Sequence, residues 1–145
     1  MKKIIAISLV AVAAGFSTTA ISAGEFGSAA EAKAMLEKAV SAVKANKAAA
    51  LGQFAKGEGG FRDRDLYPFC GGPDGNFSAH PSLTGKSMKD LMSKANEPIG
   101  AKLYEAAKEG SIAEVPYMWP RPGTTEPVQK LSYVTKIGDQ VCAVG

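Results

Sequence analysis

The sequence predicts an α+β domain, in which one long N-terminal helix packs on a five-stranded antiparallel sheet. Three observations carry that reading. Ser28 and Glu31 form a capping box ahead of a long stretch of helical periodicity. Five later segments have the length and alternation of short strands. The helices are grouped before and between those strands, as expected for helices segregated on an antiparallel sheet.

The first helix is expected over residues 28–55. Ala32, Met35, Leu36, Ala39, Val40, Val43, Ala50, Leu51 and Phe54 recur at helical spacing with lysines between them. The breaker cluster Gly57-Glu58-Gly59-Gly60 ends it and reads as a flexible turn rather than an anion cradle. The charged run Arg62-Asp63-Arg64 reads as solvated.

Asp65–Cys70 has Tyr67 and Phe69 on one face and Leu66 and Cys70 on the other, which predicts a strand. Pro68 within it predicts an edge position or a bulge. Gly71-Gly72-Pro73-Asp74-Gly75 is a hairpin turn, and Phe77–His80 returns as the second strand. Ser87 caps a short helix to Met92. Pro98 opens another through Ile99, Leu103, Ala106 and Ala107, ended by Gly110. Strands are then expected at Glu114–Trp119, Lys130–Lys136 and Gln140–Val144, joined by the Pro/Gly-rich loop 120–127 and the tight turn Gly138-Asp139. No internal repeat or linker divides the chain, so one domain is expected.

Composition narrows the function. The 145 residues, 46% apolar and 21% charged, suit one ordinary domain and exclude a disordered or collagen-like chain. With one His and two separated Cys, no CxxC or CxxCH exists, which excludes a Cys/His zinc site and an attached c-type haem. No metal and no cofactor are expected.

Residues 1–23 read as a signal peptide: Lys2 and Lys3, an apolar run from Ile4 to Phe16, and small residues to Ala23, with cleavage expected after Ala23 or, alternatively, Ala20. The apolar run is shorter than the ~20 residues that span a bilayer, so an uncleaved membrane anchor is the weaker reading. Removing it leaves 122 residues with a formal charge of +1. That chain has no basic cluster for a phosphate backbone, and no nucleic-acid partner is expected. The expected location is periplasmic or otherwise secreted, with no membrane span after cleavage.

In an oxidising compartment Cys70 and Cys142 are expected to pair. Two buried free thiols remain the alternative, and a redox pair lacks the usual close spacing.

The string Asp65-Leu66-Tyr67-Pro68-Phe69-Cys70, then Gly75-Asn76-Phe77-Ser78-Ala79-His80-Pro81 and Leu83-Thr84-Gly85-Lys86, resembles the core signature of the single Cache domain family. Tyr104–Gly110, Tyr117-Met118-Trp119-Pro120-Arg121-Pro122-Gly123, Glu126-Pro127, Lys130-Leu131-Ser132-Tyr133-Val134 and Val141–Gly145 continue the match in order. It covers essentially all of residues 26–145.

The resemblance implies an extracytoplasmic ligand-sensing module with a long N-terminal helix and a PAS-like antiparallel sheet. That strand order sets the first and last strands side by side, which suits a Cys70–Cys142 bridge. Relatives of this kind sit between membrane helices of chemoreceptors, kinases or cyclases and bind small organic acids. This sequence shows no second membrane segment or output domain, so it resembles a stand-alone exported version. A membrane receptor or a transporter is then the expected protein partner.

A small carboxylate needs one or two fixed cations or donors and an apolar wall. Lys130, Ser132 and Val134 share a strand face; turned inward, Lys130 is the carboxylate's partner and Ser132 a second donor. Turned outward, Lys130 is a solvated strand-end lysine. His80 is expected in the pocket, where it would make binding depend on pH near 6–7. The period-two pairs Tyr67/Phe69 and Tyr117/Trp119 supply walls and hydroxyls, with core packing the plain alternative. Arg121 is either a bidentate carboxylate clamp or an exposed loop charge. Met118, on the opposite face, reads as packing, and Lys86 as bonding to turn carbonyls.

The function expected is a binding module for a small organic acid or related metabolite, serving sensory or chemotactic signalling. The alternative is a periplasmic structural or interaction protein that keeps the fold without a ligand. An enzyme is not expected, since Cys70 is the only attractive nucleophile near His80 and a disulfide would disable it.

Overall fold

A computed structural model of the chain describes residues 24–145. The expected signal peptide, residues 1–23, lies outside the described residues. Two helices open the fold, α1 (Ala29–Ala45) and α2 (Lys47–Lys56), followed by β1 (Pro68–Gly71) and β2 (Phe77–Ala79). Helix α3 (Ile99–Ala106) precedes β3 (Ala113–Pro120), β4 (Pro127–Ile137) and β5 (Gln140–Val144).

The capping box forms as read. Ser28 Oγ accepts the Glu31 N–H, and the Glu31 carboxylate accepts the Ser28 N–H at 2.8 Å. The single helix expected over 28–55 is instead two. Asn46 leaves helical backbone, at φ −157° and ψ 96°. Its N–H closes α1 on the Ala42 carbonyl, while its side-chain oxygen caps α2 by accepting the Ala49 N–H at 3.1 Å. An Asn side chain offers the backbone this competing arrangement, and apolar periodicity carries no trace of it. Gly57, at φ +69°, ends α2 where the breaker cluster begins.

The strands form one antiparallel sheet in the order β2-β1-β5-β4-β3. First and last strands are neighbours, Cys70 stands opposite Cys142, and the two are joined in a disulfide. β1 starts at Pro68, three residues later than expected. Pro68 is neither on an edge strand nor at the bulge: it is the first residue of the strand and pairs only with Val144 of β5, because β2 reaches no further than Cys70.

The bulge lies one step on. Cys70 pairs with Ala79 and Gly71 with Phe77, so two residues of β2 oppose one of β1. The extra residue inverts the alternation, and Phe77 and Ala79 end in different cores.

Those cores flank the sheet. On one side α1 and α2 bury Leu36, Ala39 and Phe54 against Leu66, Tyr133 and the disulfide. On the other, α3 and the segment 80–98 bury Met88, Ile99 and Leu103 against Phe69, Tyr117 and Val134. Each large apolar side chain so enclosed contributes about 1.5–3 kcal/mol. α3 lies so close to the preceding segment that a Cβ on Gly100 would strike the carbonyls of Met88 and Lys89.

The short helix expected over Ser87–Met92 does not form. Met88 and Lys89 both donate their N–H to the Gly75 carbonyl, at 2.8 and 2.9 Å, which ties this segment to the hairpin turn. Ser87 Oγ still caps locally, accepting the Asp90 N–H.

The run before β1 is not simply solvated. Arg64 donates to the carbonyls of Gly24 and Phe26 and pairs with Glu31 at 2.6 Å and Asp63 at 2.8 Å. Asp65 accepts the Gly27 N–H at 2.7 Å. Together they strap the segment leading into α1 against the start of the sheet.

Candidate functional site

Tyr67, just before β1, and Phe69 within it project to the side away from α1. They meet Phe77 and His80 there, because the bulge turns Phe77 to that side. His80 forms an aromatic cluster with them: its ring centre is 4.9 Å from Phe77, 5.4 Å from Tyr67 and 6.0 Å from Phe69. Tyr117 and Trp119 of β3 close the opposite wall, with Leu91 and Leu103 beneath.

The space enclosed is a narrow inner chamber with about 10 Å3 free, near the minimum that admits one water. It abuts an outer cleft of about 370 Å3 between the loop 80–84 and the loop 119–124, whose rim includes Arg62, Arg121 and Thr124. Tyr67, His80 and Trp119 line both spaces and form the boundary between them.

Lys130 stands opposite Tyr117 in the β3–β4 register; it is half-buried and lines a second cleft of about 190 Å3, shared with Phe26, Asp65, Trp119 and Arg121, rather than the outer cleft or the chamber. Its ammonium lies 4.5 Å over the Tyr67 ring and 3.4 Å from the Tyr67 hydroxyl. Burial lowers its pKa to about 8, against an opposing pull from Asp65. Asp65 does not pair with it; that carboxylate binds the Gly27 N–H and faces Arg121 at 3.8 Å.

Ser132, two residues along the same face, is fully buried and bonded at 2.8 Å to the Tyr117 hydroxyl. Burial raises the pKa of Tyr67 to about 12 and also raises that of Tyr117, so both phenols stay protonated near neutrality. His80 moves the other way: burial and the nearby Lys130 lower its pKa to about 4. The expected response of His80 near pH 6–7 is therefore replaced by an imidazole that stays neutral across that range.

A family model described as the Cache domain matches residues 28–140. The chain belongs to the Cache domain family.

Solved structures agree in fold. A methyl-accepting chemotaxis protein from Vibrio parahaemolyticus RIMD 2210633 is 27% identical, with a TM-score of 0.65 over 80% of this chain and 85% of that one. A periplasmic sensor domain of a chemotaxis protein is 21% identical, with a TM-score of 0.60 over 78% and 85%. A Cache chemosensory domain described for carboxylic acid recognition is 21% identical, with a TM-score of 0.54 over 78% and 83%. No curated protein sequence matches the chain.

In this Cache domain, five of the eight residues singled out from the sequence share the inner chamber: Tyr67, Phe69, His80, Tyr117 and Trp119. Lys130 joins them through Tyr67, and Ser132 lies behind Tyr117. Arg121 lies outside the chamber. Its guanidinium stacks 3.9 Å over the Phe26 ring, and it borders both the outer cleft and the second cleft that it shares with Lys130 and Trp119.

Sequence reasoning missed Phe77, Leu91, Leu103 and the rim residue Arg62. Phe77 was hidden by the bulge, which breaks period-two alternation. Leu103 was visible as a buried helix position, but nothing in the pattern says what its helix covers.

Proposed function

We propose that this Cache domain is the exported, ligand-binding part of a sensory system, and that its ligand is a small organic acid of about two to four carbons. The carboxylate sits at the boundary of cleft and chamber, held by the Lys130 ammonium, the Tyr67 hydroxyl and the imidazole N–H of His80. The alkyl end lies in the outer cleft against Leu83, Trp119 and Pro120, because the inner chamber has room for no more than a water. Ser132 keeps the Tyr117 hydroxyl oriented, and Arg121 contributes positive potential at the rim.

One observation carries this reading: a half-buried lysine, with no carboxylate in ion-pair distance among the described residues, lies over the ring and against the hydroxyl of Tyr67, which itself borders both cleft and chamber. A partly desolvated cation of this kind is costly unless an anion completes it. The printed descriptions of structural relatives, chemotaxis proteins and a domain that recognises carboxylic acids, support the same class.

Residues 1–23 are then a signal peptide and residues 24–145 the single Cache domain, exported to the periplasm or beyond. The disulfide supports that compartment. No described helix is long and apolar enough to cross a membrane. The output runs through a partner, a membrane receptor or transporter that reads the liganded form.

A thermal-shift screen of short carboxylates, amino acids and amines tests the ligand class. Stabilisation by short carboxylates is expected; stabilisation by amines alone contradicts it. The closed chamber favours one second reading, a Cache fold kept for protein contacts without a ligand, and a screen in which nothing stabilises the protein selects it.

A further inference from the structure

β2 ends at Ala79, so the backbone N–H and C=O of His80 have no place in the sheet. One side chain serves both. Thr84 Oγ accepts the His80 N–H at 2.9 Å and donates to the His80 carbonyl at 2.8 Å. This closes the turn Pro81–Thr84 back on the histidine. The closed turn aims two further N–H groups at the ring: those of Ser82 and Leu83 donate to His80 Nδ1, at 3.0 and 3.2 Å.

A backbone N–H can only donate, so Nδ1 must be the acceptor and the single proton of a neutral ring sits on Nε2. Protonating Nδ1 would set an N–H against two others. Among the described residues no hydrogen bond uses Nε2, on the ring edge away from the turn, and His80 borders both cleft and chamber.

We propose that Thr84 is a positioning residue: by closing this turn it locks His80 as a neutral donor through Nε2, so that Lys130 alone sets the pH range over which the site takes an anion. The second half rests on the carboxylate reading given above; the tautomer lock does not.

The surroundings agree. Tyr67, from the segment before β1, and Tyr117 of β3 are neutral phenols. The charges lining the cleft, Arg62 and Arg121, are cationic, Lys130 lies against Tyr67 in the neighbouring cleft, and no acidic side chain lines the outer one. Asp65 lies on the Lys130 side, engaged with Gly27 and Arg121. A second positive charge on His80 finds no partner there, and its pKa near 4 follows from that and from burial.

His80 is the only histidine, so its ring nitrogens give one unambiguous signal pair in a spectrum of the 15N-labelled protein. The expected pattern is the Nε2-protonated tautomer, unchanged from pH 7.5 to 5.5 without ligand. A Nδ1-protonated ring, or a titration centred near pH 6.5, overturns the lock whatever the site binds.

Thr84→Val, at an exposed position, should give a tautomer mixture and raise the midpoint toward the ordinary histidine range, while Thr84→Ser keeps the wild-type spectrum. A Thr84→Val spectrum identical to wild type removes Thr84 from the role. With propionate as probe, Thr84→Val affinity should rise severalfold as pH falls from 7.5 to 5.5, because its released imidazole protonates in that range, while wild type and Thr84→Ser show no such rise. If wild type binds no short carboxylate, the ligand reading fails and the spectra still decide the lock.

Discussion

The ammonium of Lys130 lies 4.5 Å over the ring of Tyr67 and 3.4 Å from its hydroxyl, with no carboxylate paired to it among the described residues. Hydrogen bonding to a phenol and contact with an aromatic face compensate a partly desolvated cation only in part. In the function proposed above this pair is one half of an anion site, and its titration sets when that site works.

Anion affinity should be flat between pH 5.5 and 7, because His80 stays neutral there and Lys130 stays charged. Above about 8 the free lysine loses its proton. A ligand carboxylate favours the charged lysine, so binding must then take up a proton and weakens about tenfold per pH unit. Calorimetric titrations across pH 5.5–10 check this. Affinity that rises as pH falls from 7 to 5.5 would place the switch on His80 instead.

Fold stability should fall as pH drops from 6.5 toward 4. The folded state holds His80 near 4 while the unfolded chain titrates near 6.5, so in this window unfolding takes up a proton. The stabilisation is complete above 6.5 and lost on the way down to 4, by about 3 kcal/mol for a shift of this size. Denaturant unfolding of wild type and His80→Gln measures it, and the variant should lack this part of the slope.

The disulfide links residues 72 apart in sequence, on adjacent strands. The chain-entropy account assigns a loop of that length about 4 kcal/mol. Replacing both cysteines with serine should lower stability by that order in urea unfolding. Ligand affinity of the folded variant should not change, because Cys70 and Cys142 belong to the core beneath α1 and α2, across the sheet from Lys130.

Leu103 is fully buried at the floor of the inner chamber. Leu103→Ala should cost about 2–5 kcal/mol. The truncation also enlarges the chamber enough to admit an alkyl end, so the variant should shift preference toward acids with a longer chain. Competition between acids of increasing length reads that shift, and an unchanged order keeps the alkyl end in the outer cleft.

Much of this was legible in the residues. Period-two spacing put Tyr67 with Phe69 and Lys130 with Ser132 and Val134; the first pair shares one core although Tyr67 precedes β1, and the second set lies within the continuous strand β4. β5 matched its expected bounds because the tight turn at Gly138-Asp139 fixes where it starts and its pairing with β4 and β1 fixes its register. The misses share a cause. The break at Asn46, the bulge that turns Phe77 and the untwisted segment at Ser87 are all set by single hydrogen-bonding choices, and hydrophobic periodicity does not record those. Arg64 looked like surface charge because its partners, the carbonyls of Gly24 and Phe26, are backbone atoms about 40 residues away in the chain. The role of Thr84 was invisible for the same reason: it acts through backbone geometry on a neighbouring residue.

Calorimetry on wild type and Lys130→Met, with the short carboxylate that stabilises the protein best, tests the anion site itself. Methionine keeps the apolar stem and removes the charge, so the fold should melt within a few degrees of wild type or slightly higher. Affinity should fall about a hundredfold, the order expected when one member of a desolvated charge pair is removed. Equal affinity in a folded Lys130→Met protein would contradict the account, because the carboxylate would then be held by something other than this lysine.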